Sequence, residues 1–112
     1  MALKQIILEM GTGNDLHGGD YTKAAKRAVQ DALHHSSLAL FRALGRNPRE
    51  MQIELTLAAQ APDAIDVDAV AATLPYGTVT AKAVKGGLDV PDPEHGDVAV
   101  IVNAGVRVML EL

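Results

Sequence analysis

A chain of 112 residues with 48% hydrophobic side chains can fold as one domain spanning 1–112, which excludes disorder and a disulfide-stapled miniprotein. A net charge of −4 speaks against nucleic acid as a partner, since Lys and Arg are scattered apart from Lys23, Lys26 and Arg27. The absence of cysteine removes disulfides, thiolate zinc sites and cysteine nucleophiles, and no apolar run is long enough for a bilayer, so a cytoplasmic protein with no membrane partner is expected.

Leu3 to Glu9 (LKQIILE) reads as a first strand, with Ile6, Ile7 and Leu8 contiguous and therefore buried on both faces. A glycine-rich stretch, Gly11 to Lys23, follows it as a loop. Asp20 is placed to cap a helix running from Tyr21 to about Ala43, where Ala25, Ala28, Val29, Ala32, Leu33, Leu40, Phe41 and Leu44 recur at helical spacing. Gly45 and Pro48 end that helix. Gln52 to Gln60 alternates as a half-buried strand and stops before Pro62. Asp66 caps a short helix, about Val67 to Leu74, and Thr78 to Val84 makes a third strand. Gly86-Gly87, Pro91 and Asp92-Pro93 read as a loop, and Asp97 to Leu112 as one long strand.

The order is thus β-α-β-α-β-β, an α+β sandwich with one mixed sheet and helices on one face. Val98 to Val102 is apolar on both faces, yet two helices cover only one. Eighteen alanines against a single Phe and no Trp also make a core that buries little area per element. At about 25 cal/mol per Å² such a core is marginal for a monomer. Both observations point to an oligomer packed on the remaining sheet face.

The chemistry-bearing residues cluster in the glycine stretch. Gly11, Gly13 and Gly18 let backbone approach a ligand, Asp15 and His17 are candidates for acid–base work, and Lys23 adds a cation near a helix N-terminus that favours anions. Asp15, His17 and Asp20 also offer a possible oxygen, nitrogen and oxygen set for a metal, which leaves the metal open. The spacing matches neither the dinucleotide fingerprint nor a Walker loop, so no nucleotide cofactor is assigned. His34, His35, Ser36 and Ser37 form a polar stretch in the long helix, read as interface or solvent groups. Asn103 breaks the last strand and needs a hydrogen-bond partner, and Arg107 can hold an anionic substrate; both are ligand-binding candidates.

Gly11 to Arg27, with Gly86-Gly87-Leu88-Asp89-Val90-Pro91 and Val102-Asn103-Ala104, resembles an uncharacterised family of short microbial proteins marked by Gly-x-Gly-x-Asp-Leu-His-Gly-x-Asp. The element order resembles the trimeric, non-helical chorismate mutases and the reactive-intermediate deaminases. That resemblance implies a homotrimer with ligand pockets between subunits. The cyanuric acid hydrolases, of similar architecture, imply a Lys-Ser pair; Lys82 fits the lysine, but Ser36 and Ser37 lie mid-helix. The expectation is a small-molecule enzyme or ligand-handling protein with His17 as acid or base and Asp15 orienting it. The alternative is a non-catalytic oligomeric metabolite-binding or structural module.

Overall fold

The computed structural model describes residues 2–34 and 44–112. Its elements are β1 (Leu3–Asp15), α1 (Tyr21–His34), β2 (Gln52–Ala59), α2 (Val67–Ala71), β3 (Thr78–Lys85), β4 (Leu88–Asp92) and β5 (Asp97–Glu111). The expected class holds, with one mixed sheet and helices on one face, and the sheet has five strands where the sequence order predicts four. The predicted continuation of α1 to Ala43, with His35, Ser36, Ser37, Leu40 and Phe41, lies outside the described residues.

The long β5 organises the sheet. β1 pairs antiparallel along one side of it, while β2 and β4 share the other side, and β3 lies parallel to β2 at the edge. Directly opposed residues share a face, so the register sorts the side chains. Val100, Val102, Ala104, Val106 and Val108 turn toward the helices with Ile53, Leu55 and Leu57, and all are buried.

Three sequence expectations are corrected. β1 runs six residues beyond Glu9, so Gly11 and Gly13 belong to a strand and the connection to α1 is only Leu16 to Asp20. Gly86 to Pro93 is not all loop: Leu88 and Val90 alternate with Asp89 to form β4, and Pro91 is tolerated because β4 pairs only with β5. The Ile6-Ile7-Leu8 run also behaves differently from expectation. A bulge between Gln5 and Ile7 shifts the register, leaving Ile6 and Ile7 half-buried and Leu8 55% exposed.

The small residues of α1 explain the glycines of β1. Ala24, Ala25, Ala28, Val29 and Ala32 form its buried stripe. A Cβ on Gly11 would stand 2.2 Å from the Ala28 carbonyl oxygen, and one on Gly13 would stand 2.2 Å from that of Ala24. Only glycine lets helix and strand backbones approach so closely. The outer edge of β1 is also closed by α1, since Asp31 accepts from the Thr12 N–H at 2.9 Å and Arg27 donates to the Asn14 carbonyl at 2.7 Å.

The second sheet face is bare among the described residues. β5 sends Ala99, Ile101, Asn103, Gly105 and Arg107 to it, and Leu88 and Val90 of β4 and Leu8 and Met10 of β1 join them. Those four flanking side chains are between 51% and 73% exposed. No helix of the described residues is long and apolar enough to cross a membrane.

Candidate functional site

The turn between β1 and α1 is built from inside. Gly18 and Gly19 take φ of 95° and 61°, the left-handed region that glycine enters without strain. Asp15, the last residue of β1, is 4% exposed and accepts the Asp20 N–H at 2.9 Å. Lys23 Nζ and Arg27 Nη1 stand 3.5 and 3.7 Å from its other oxygen. The Asp20 N–H, aided by these cations and opposed by burial, holds the Asp15 carboxyl below its ordinary value. Asp20 caps α1 by accepting the Lys23 N–H at 3.0 Å.

His17 pairs with Asp97, not with Asp15. Its Nδ1 lies 3.2 Å from Asp97 Oδ2, and the ring is 88% exposed. Asp97 Oδ1 accepts the Gly18 and Val98 N–H groups at 2.9 and 2.8 Å. Those two bonds, more than the imidazole, keep the Asp97 carboxyl below its usual range. His17 therefore stands apart from Asp15 and Asp20, which are joined through the Asp20 N–H and Lys23. Among the described residues no three His, Asp or Glu side chains converge on a metal position.

Sequence reasoning missed Asp97 and Asp89. The Tyr21 hydroxyl donates to Asp89 Oδ2 at 2.5 Å, which with burial raises the Tyr21 pKa, and Asp89 Oδ1 is buried without a hydrogen-bond partner among the described residues. Both carboxylates sit in the β4–β5 hairpin, some 70 to 80 positions from their partners in sequence. Only the alternation Leu88-Asp89-Val90, a strand signal, hinted at this placement.

Asn103 and Arg107 lie on the bare face. Asn103 Nδ2 donates to Thr12 Oγ1 at 3.0 Å, supplying the partner its position demanded. Arg107 donates to Gln5 Oε1 at 2.8 Å and Glu54 Oε2 at 2.7 Å, so its charge is already matched. Between them a groove of about 540 Å³ opens over Gly105, walled by Met10, Thr12, Thr56, Ala58 and Asn103. The register sets its shape: Met10, Gly105 and Thr56 form one cross-strand row, and Thr12, Asn103 and Ala58 the next.

Three comparisons bear on these features. A family model described as conserved hypothetical protein (Lin0512_fam) matches residues 5–108, and the chain belongs to that family. A crystal structure of an FtsZ-like protein of unknown function from Nostoc punctiforme PCC 73102 is similar at 38% identity with a TM-score of 0.86, covering 100% of this chain and 99% of that one. No curated protein matches.

Proposed function

We propose that this member of the Lin0512 family is a homotrimer that handles a small-molecule ligand on the sheet face its helices leave bare. One observation carries the reading: Leu8, Met10, Leu88 and Val90, each at least half exposed, share that face with the groove over Gly105. Apolar surface gathered in this way is what a self-association site offers, and an alanine-rich core gains from the added burial. The glycine pattern of the turn then serves architecture. Gly11 and Gly13 admit α1, Gly18 and Gly19 make the turn, Asp15 anchors it and Asp20 caps the helix.

Light scattering tests the assembly. The wild type should weigh three times the 11.8 kDa of one chain, and Leu88→Asp with Val90→Asp should lower that mass. A wild type of monomer mass at micromolar concentration overturns the reading.

A second reading is acid–base catalysis by His17, favoured by one observation. Asp97, held by two backbone N–H groups, fixes Nδ1 and leaves Nε2 of an exposed imidazole directed away from its own partner. Here Asp97 takes the orienting role that the sequence reading gave to Asp15. His17→Ala with ligand binding intact but turnover lost supports this second reading.

A further inference from the structure

Glycine inside a strand costs stability, so each one needs a reason. Nine of the ten glycines have one within the chain: a positive φ at Gly18, Gly19, Gly45, Gly77, Gly87 and Gly96, and a Cβ clash at Gly11, Gly13 and Gly86. Gly105 has neither. Its φ is not positive, and a Cβ built on it meets nothing within 4 Å among the described residues. A side chain there would stand in the groove, between Met10 of β1 and Thr56 of β2. The open space above Gly105 is therefore not needed by the fold and suits something from outside it.

We infer that the groove over Gly105 seats an uncharged small molecule with an apolar body and one hydrogen-bonding edge, an inference that rests on the bare-face reading above and names its ligand class. The lining decides the charge. Among the described residues its one ionised side chain is Asp31, which accepts the Thr12 N–H at 2.9 Å, and no cation lines the groove. An anion would leave water without a counter-charge, which costs more than the groove returns. The lining also decides the polarity. Met10, Ala58 and the Gly105 backbone offer an apolar floor and wall, while the Thr12 and Thr56 hydroxyls and the Asn103 carboxamide offer neutral donors and acceptors. Asn103 spends one N–H on Thr12, and its carboxamide oxygen has no partner among the described residues, which makes it the acceptor for a ligand O–H or N–H.

The inference is tested with phenol and benzoate, one ring carrying a neutral hydroxyl or a charge. Binding is followed by NMR chemical shifts on the wild type, Gly105→Val and Asn103→Ala. Phenol should shift resonances of Met10, Thr12, Thr56 and Gly105, with benzoate at least tenfold weaker. Gly105→Val should abolish phenol binding while circular dichroism and light-scattering mass stay unchanged, and Asn103→Ala should weaken it several-fold. Equal binding of benzoate, or no binding of phenol, overturns the ligand class. Phenol binding that survives Gly105→Val overturns the seat. A changed mass in Gly105→Val means that a second copy fills the groove, which also overturns it. Failure here with the wild type still trimeric leaves the assembly reading standing, whereas a monomeric wild type that binds phenol sinks the assembly and keeps the seat.

Discussion

Substituting alanine for glycine should have opposite signs at two positions of the same sheet. At Gly13 the new Cβ would lie 2.2 Å from the Ala24 carbonyl oxygen and 2.3 Å from the Ala28 nitrogen, against 3.4 Å for an ordinary contact. Both obstacles are helix backbone and cannot rotate away, so α1 must retreat by about 1.2 Å along its contact with β1. Overpacking of this kind costs about 3 kcal/mol, at the upper end of its usual range because no side chain can yield. For a domain of this size that lowers Tm by about 12 °C. Gly105→Ala meets open space and replaces the most flexible residue in a strand, so it should gain about 0.5 to 1 kcal/mol and raise Tm by about 2 to 4 °C. Urea and thermal unfolding of both variants supply the numbers. A neutral Gly13→Ala, or a Gly105→Ala as destabilising as Gly13→Ala, refutes the steric account of the glycines.

Asp20→Ala should lose about 1 kcal/mol with its cap, and Asp15→Ala should be the more destabilising of the two, because Asp15 is buried with one N–H and two cations directed at it; thermal unfolding ranks them. Asp15 and Asp97 are held below their ordinary value in the folded state, so their contribution is complete above the unfolded value of about 4 and is lost as pH falls through the folded values. The Tm gap between wild type and Asp97→Asn should therefore shrink as pH is lowered from about 5 towards 2, and a constant gap contradicts the assignment. Leu88→Asp should reduce the light-scattering mass more than Leu44→Asp, although both leucines are exposed, because only Leu88 lies on the bare face.

Local patterns in the sequence carried most of the elements, since the helical spacing of Ala25, Ala28, Val29 and Ala32 and the alternation of Ile53, Leu55 and Leu57 each reflect one buried face. Asp20 and Asp66 could be read as caps for the same reason: the relevant bond reaches only three residues ahead. Gly11 and Gly13 were misread as loop because a glycine that admits a helix looks in sequence like one that admits a ligand. The difference lies in α1, whose Ala24 and Ala28 approach them. Asp97 and Asp89 were illegible because their partners are remote in sequence and meet only once β4 and β5 pair. Gly105 looks in sequence like any glycine in a strand, and only the register places it on the floor of the groove.

A crystal structure of the assembled protein tests the central claim most directly. The bare sheet faces of the copies should turn toward one another, bringing Leu8, Met10, Leu88 and Val90 into contact and leaving the groove over Gly105 open at a subunit boundary. Copies that meet through α1, with the bare faces and Gly105 directed to solvent, would contradict it.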